Sequence, residues 1–384
     1  MDEANKVVPG SGQHRAIAIL GMHRSGTSTV ARAVNLLGVP LGRREEMMQA
    51  TPDNPEGYWE HLGINTVQIR LLTALQRGWA TAEPLPENWL QSPVVPPFKA
   101  ELSKIIRTEF AGQKLWGWKD PRSCLLLPLW REILSEADTD LICLFVVRSP
   151  VDVAGSLMRR DGIPFAHALG IWFHYNIAAL RDAAGLPVVF LNYEKLVAAW
   201  EPEMRRCAAG LNLAWPADEA AHRAAMDAFI KPELRRNRSS ADQLAKLPAP
   251  VRELYRLMLD ACEVPQTGGE KYGAAVARLA REFHDYATFF PPTLIGTTFD
   301  GPHEEMHRRL SQNLDGCLVQ IAGAGKPADR ELVTAWRENR QQQFEFFTVR
   351  CTRSAPEFLQ KILGERTYRS LCKRLAELYC WLHP

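Results

Sequence analysis

The chain carries apolar residues on two periods. Short continuous apolar runs at 16–20 (AIAIL), 141–147 (LICLFVV) and 187–191 (PVVFL) are each followed by a stretch in which apolar residues recur at helical spacing. After the first run come Gly-Met-His-Arg-Ser-Gly-Thr-Ser and then Val30, Ala33, Val34 and Leu37 at i, i+3, i+4 and i+7, with Gly38 where a helix C-cap belongs. The second run leads into Arg148-Ser149-Pro150, and Pro150 is suited to a first helical position because its missing N–H is not needed there. The third precedes Tyr193-Glu194 and another helical stretch. Continuous apolar strands alternating with helices predict an α/β protein whose parallel sheet is covered on both faces.

Other segments fit between these. Pro84, Pro86, Pro93, Pro96 and Pro97 predict irregular structure across 84–97. A helical run then spans 98–110, through Leu102, Ile105 and Ile106, and Lys-Leu-Trp-Gly-Trp-Lys-Asp-Pro-Arg at 114–122 reads as a short strand ending in a polar turn. A Pro/Gly-rich break at 291–302 divides the chain into a sheet domain, 1–290, and a mainly helical C-terminal extension, 291–384. Leu359, Ile362, Leu363, Leu371, Leu375, Leu378 and Leu382 give that extension an apolar stripe, expected to dock on the sheet domain or to form a homodimer.

With 384 residues, 46% hydrophobic and 23% charged, there is ample material for a globular core. A net charge of +2 gives no global field toward nucleic acid or anionic membranes, so a basic site has to be local. The longest apolar runs fall far short of the roughly 20 residues a membrane span needs. No secretory signal pattern is visible. The eight cysteines are scattered without a C-x-x-C pair, so the expectation is a cytoplasmic protein with reduced thiols and no metal framework.

Gly21-Met22-His23-Arg24-Ser25-Gly26-Thr27-Ser28 lies between a predicted strand and a predicted helix, where backbone N–H groups and the helix dipole favour an anion. Its glycine spacing is that of a Walker A loop, but Thr27 stands where a nucleotide kinase has lysine, and the cation is moved upstream to Arg24. A guanidinium there can fork onto two phosphate or sulfate oxygens while Ser25, Gly26, Thr27 and Ser28 donate from the turn. Arg148 closes the second apolar strand, and Ser156 and Arg160 follow at a spacing that shares one helix face, a second place for a phosphate. A P-loop kinase would instead need lysine at 27 and an acid closing the neighbouring strand for magnesium. That strand closes with Arg148.

These residues resemble the P-loop sulfotransferases that use 3'-phosphoadenylyl sulfate (PAPS). The family's R/K-x-G-T-[ST] loop, matched by Arg24 to Ser28, binds the 5'-phosphosulfate, and its R-x(7)-S pattern, matched by Arg148 and Ser156, binds the 3'-phosphate. The resemblance is closest to tyrosylprotein-type and related bacterial enzymes, which share a K-D-P turn (Trp118-Lys119-Asp120-Pro121), an arginine four residues after the serine (Arg160) and a Y-E-x-L element (Tyr193-Glu194-Lys195-Leu196). It implies transfer of a sulfuryl group from PAPS to a hydroxyl acceptor on a glycan, tyrosine, lipid or small molecule, with adenosine 3',5'-bisphosphate (PAP) as product and no metal.

Such a transfer also needs a base for the acceptor proton. Glu60 is the first choice and Glu56 the reserve, in a segment that follows the first helix and opens the next, 61–77, which Glu60 would cap. Aromatic neighbours could desolvate Glu60, and the resemblance places the base in the same segment. It also assigns Lys119 to the transferring group, while Asp120 would orient Lys119 or Arg122. The basic run 229–238 resembles the region that closes over the donor, and Arg235 is its candidate. Trp116, Trp118, Trp130, Trp172 and Phe173 read as core. His23 and His174 are acid–base candidates more simply read as hydrogen-bonded neighbours. His303-Glu304-Glu305-Met306-His307 matches the zincin pattern but abuts Gly301-Pro302 and lacks a third ligand. The competing functions are a kinase-like nucleotide-binding protein and a non-catalytic scaffold.

Overall fold

The computed structural model describes residues 14–48, 57–230, 239–264, 267–268 and 272–289. The chain runs β1 (His14–Leu20), α1 (Thr27–Leu36), α2 (Leu62–Ala74), α3 (Val95–Glu109), β2 (Leu115–Lys119), α4 (Ser123–Glu136), β3 (Thr139–Val147), α5 (Pro150–Asp161), α6 (Phe165–Asp182) and β4 (Pro187–Asn192). It continues through α7 (Tyr193–Ala198), α8 (Trp200–Gly210), α9 (Glu219–Phe229), α10 (Ala241–Ala245), α11 (Ala249–Ala261), β5 (Thr267–Gly268) and α12 (Gly273–Phe289). The strands form one sheet in the order β2-β1-β3-β4-β5, parallel throughout except for the short antiparallel edge β5.

The apolar runs become strands because both of their faces are buried. Ala16, Ala18 and Leu20, with Cys143, Phe145 and Val147, turn toward a layer that includes Leu126 and Trp130 of α4 and Trp172 and Phe173 of α6. Ile17, Ile19, Leu144, Val146 and Leu191 turn the other way, onto Val30 and Val34 of α1, Met204 of α8 and Met226 of α9. At ~1.5–3 kcal/mol for each large apolar side chain fully buried, this two-sided burial outweighs any local preference. The five aromatic residues expected in the core, Trp116, Trp118, Trp130, Trp172 and Phe173, are all buried.

Two expectations are corrected. The Pro-rich stretch does not stay irregular through 97: α3 starts at Val95 with Pro96 and Pro97 in its first turn, where their absent N–H groups cost nothing, and a 3-10 turn covers Trp89–Gln91. The helix expected at 61–77 spans Leu62–Ala74, and its N-cap is His61, whose side chain accepts from the Ile64 N–H, so Glu60 does not cap it. The helical extension, the proposed dimer face, the His303–His307 pattern, Glu56 and Arg235 all lie outside the described residues.

Strand order positions the site. β1 and β3 are neighbours, but the chain leaves them toward opposite edges of the sheet, β1 toward β2 and β3 toward β4. Doubly wound sheets bind ligands beyond the carboxyl ends of such strands, here Leu20 and Val147.

Candidate active site

The loop from Gly21 to Gly26 leaves β1 by a backbone route that few residues can follow. Gly21, Arg24 and Gly26 have φ of 148°, 67° and 86°. A side chain at Gly26 would run into the Tyr193 ring, so this glycine is required both by its left-handed backbone and by close approach. No described side chain caps α1, and its first-turn N–H groups project from the N-terminal end beside Ser25, Thr27 and Ser28. Ser25 and Thr27 are buried.

The turn after β3 interlocks with this loop. Arg148 donates from Nη1 to the Arg24 carbonyl at 2.8 Å, and its guanidinium stacks 4.5 Å over the Tyr193 ring. Arg24 in turn donates from Nε to Ser156 Oγ at 3.0 Å. Arg24, Gly26, Arg148, Ser156 and Tyr193 thus meet in one place, at the mouths of adjacent strands. The buried Nε of Arg148 has no hydrogen-bond partner among the described residues. Ser149 caps α5, and its N–H donates to Glu194 Oε1 at 3.2 Å. Burial pushes the carboxyls of Glu194 and Asp152 up, with Arg148 opposing in both.

Arg160 makes other contacts. It pairs with Asp161 at 2.9 Å and lies 6.0 Å from the Trp79 ring. The i, i+4 spacing with Ser156 yields no hydrogen bond between the two, because Ser156 meets Arg24 while Arg160 turns to its own neighbour.

A buried charge cluster lies beside the phosphate loop. Lys119, at the end of β2, donates from Nζ to Glu60 Oε1 at 2.5 Å, to the Tyr58 carbonyl at 3.1 Å and to Ser28 Oγ at 3.2 Å. The other oxygen of Glu60 accepts from Asn65 Nδ2 at 2.6 Å and lies 3.8 Å from Arg122 Nη1. Lys119 is 3% and Glu60 5% exposed, so breaking the pair would leave an uncompensated charge away from water. Asp120 orients Arg122, accepting from its N–H and Nη1, both at 2.9 Å, and does not contact Lys119 through a hydrogen bond. Burial pushes the Asp120 carboxyl up against the opposing pull of Arg122.

The backbone around Glu60 is bent to deliver it. Gly57 and Trp59 have φ of 84° and 56°, a conformation an aromatic residue adopts only when its surroundings hold it. Arg32 of α1 supplies part of that hold, 4.7 Å over the Trp59 ring.

His23 lies between the two halves of the site. Its ring packs at 4.8 Å from Trp79 and 5.8 Å from Tyr175. The expected hydrogen-bonded neighbour is not found at Nε2, which is buried and has no partner among the described residues. Burial, then the charges of Arg122, Arg160, Lys119 and Arg24, hold its imidazole well below the usual histidine range. His174 is held at about 4 chiefly by burial within α6 and takes no part in the cluster.

Sequence reasoning missed Asn65, the Tyr58 carbonyl and the walls Trp79 and Tyr175. Asn65 sits in a helix with no motif around it, and a backbone carbonyl carries no residue-type signal.

No family model matches the chain, and no curated protein matches it. Among solved structures, it is similar to the sulfotransferase domain from the curacin biosynthetic pathway, with 16% identity over 65% of this chain and 98% of that one and a TM-score of 0.35. It is also similar to the sulfotransferase domain from the Synechococcus PCC 7002 olefin synthase, with 22% identity over 65% and 97% of the two chains and a TM-score of 0.36. Likenesses this distant carry no argument, and the functional reading rests on the site.

Proposed function

We propose that this chain is a sulfotransferase that moves a sulfuryl group from PAPS to a hydroxyl acceptor. The observation that carries the reading is the meeting of Arg24, Arg148 and Ser156 at adjacent strand ends, with Lys119 and Glu60 joined to the same loop through Ser28. Two cationic groups so placed suit a nucleotide phosphorylated at both ends. Arg24 and the loop from Ser25 to Ser28 would hold the phosphosulfate, Arg148 and Ser156 the 3'-phosphate, and Tyr193 would brace Arg148. Arg160 and Arg235 belong to the donor side in this reading, Arg160 from the Trp79 wall.

The acceptor oxygen attacks sulfur in line, the sulfur–oxygen bond to the 5'-phosphate breaks, and PAP leaves with that electron pair. Glu60 takes the acceptor proton, while Lys119 and Arg24 offset the charge that gathers on the leaving oxygen. Positioning and electrostatics carry the step, as in phosphoryl transfer. The catalytic unit in this reading is residues 1–290, with 291–384 an accessory segment. Among the described residues, buried free thiols at Cys124, Cys143, Cys207 and Cys262 support a reducing, cytoplasmic setting.

Calorimetry with PAP and with ATP–magnesium tests the class. Preference for PAP, together with transfer of labelled sulfate from PAPS to a panel of hydroxyl acceptors, supports the reading. Preference for ATP–magnesium would move the chain to the kinase class, and binding of neither would favour a scaffold.

A further inference from the structure

The loop histidine has no task in the scheme above, yet it carries a buried polar atom left unsatisfied. Nε2 of His23 is buried without a hydrogen-bond partner among the described residues, and leaving a polar atom so placed unsatisfied is costly. The ring cannot readily turn away, because Trp79 and Tyr175 pack against it. It belongs to the Gly21–Gly26 loop, between the Leu20 strand end and Arg24, whose backbone takes the left-handed turn.

We propose that His23 is a further ligand-contacting residue, whose Nε2 hydrogen-bonds the anionic group bound by the Gly21–Gly26 loop. This rests on the sulfotransferase reading, in which that group is the phosphosulfate of the donor or the 5'-phosphate of the product. An oxygen of either anion supplies the acceptor that Nε2–H lacks, and the neighbouring cations keep the same anion in place.

The contact carries a proton linkage. The charged groups facing His23 come from every element around it: Arg24 in its own loop, Lys119 from β2, Arg122 from the turn after β2 and Arg160 from α5. Trp79 and Tyr175 add no positive charge. Glu60 and Asp120 partly offset Lys119 and Arg122, and Asp161 offsets Arg160. Burial and these cations keep the imidazole proton-free at neutral pH in the empty site. A bound polyanion offsets the same cations and accepts from the ring, which favours the protonated form. Anion binding therefore raises the tendency of His23 to take up a proton.

The test is calorimetric titration of PAP into the whole protein at pH 6 to 7, in buffers of different ionisation heat, for wild type, His23→Gln and His23→Phe. PAP's own phosphates release protons on binding, so each titration reads the net exchange, and the comparison of the three proteins reads what the residue at 23 adds to it. The expected result is proton uptake by wild type in excess of both variants. His23→Gln, which keeps a donor, should bind PAP within a few-fold of wild type, while His23→Phe should lose roughly 10- to 100-fold, as for a hydrogen bond to a charged partner. Thermal melts identify a variant that fails to fold, and His23→Gln alone then decides through proton uptake. PAP binding with identical proton uptake in wild type and His23→Gln overturns the inference and leaves the enzyme reading standing. Failure of wild type to bind PAP overturns both.

Discussion

Lys119 touches three oxygens, and one of them belongs to Glu60. That contact ties the proposed base to the proposed electrophile, and Ser28 ties both to the phosphate loop. Truncating either partner strands the other in a site that excludes water, so the conservative variant is the informative one. Glu60→Gln keeps the shape and the Asn65 contact; turnover should fall ~10²–10⁴-fold, the usual worth of a positioned base, with PAP affinity within a few-fold of wild type. Full turnover in that variant would remove Glu60 from the scheme. Both residues were legible in the sequence as candidates, Lys119 from its motif and Glu60 from following the first helix among aromatics, but their contact was not. Nor was Asn65: its amide matters only because α2 runs back past Glu60, a tertiary fact that no spacing along the chain encodes.

At the scale of elements, the site depends on loops held by strand ends. Gly26 connects β1 to α1 beneath Tyr193, which opens α7 directly after β4. Gly26→Ala meets both the left-handed backbone penalty and the Tyr193 ring, and should cost about 2 kcal/mol of stability, read as a lowered denaturation midpoint, together with loss of PAP binding. A variant with wild-type midpoint and PAP affinity would contradict the close approach. Element identity followed well from the apolar runs, since strands buried on both faces need little else. Element boundaries did not: the prolines at 96 and 97 read as breakers although a helix start tolerates them, and only the packed structure reveals that they begin α3. Ser156 and Arg160 make no hydrogen bond to each other for a related reason. Spacing places two residues on a face, but Asp161 and the Trp79 wall decide where the longer side chain goes.

For the whole molecule, buried histidines make stability depend on acid. His174 is held at about 4 against a usual value near 6.5, so the unfolded chain binds its proton first as pH falls. The stability it contributes is complete above pH 6.5 and is lost progressively toward pH 4. Between pH 7 and pH 5 the loss should be about 2 kcal/mol. His23 acts in the same direction. Asp120, Asp152 and Glu194 act in the opposite one, because their raised carboxyls bind protons in the folded state first. Urea melts of wild type and His174→Phe at pH 7 and pH 5 separate these effects: the variant should lose about 2 kcal/mol less over that interval, and equal losses would show that His174 does not titrate on unfolding. The sheet order that positions the site was not legible from the sequence, since apolar runs announce strands but not their neighbours.

The central claim is that Arg24 and Arg148 grip two ends of one nucleotide, and a binding cycle addresses it most directly. PAP and AMP, which lacks the 3'-phosphate, are titrated into wild type and Arg148→Ala. If Arg148 meets the 3'-phosphate, wild type prefers PAP over AMP by roughly tenfold or more and the preference disappears in the variant, while AMP affinity changes little. Equal affinity of wild type for the two nucleotides, or a preference for PAP that survives in Arg148→Ala, contradicts the account.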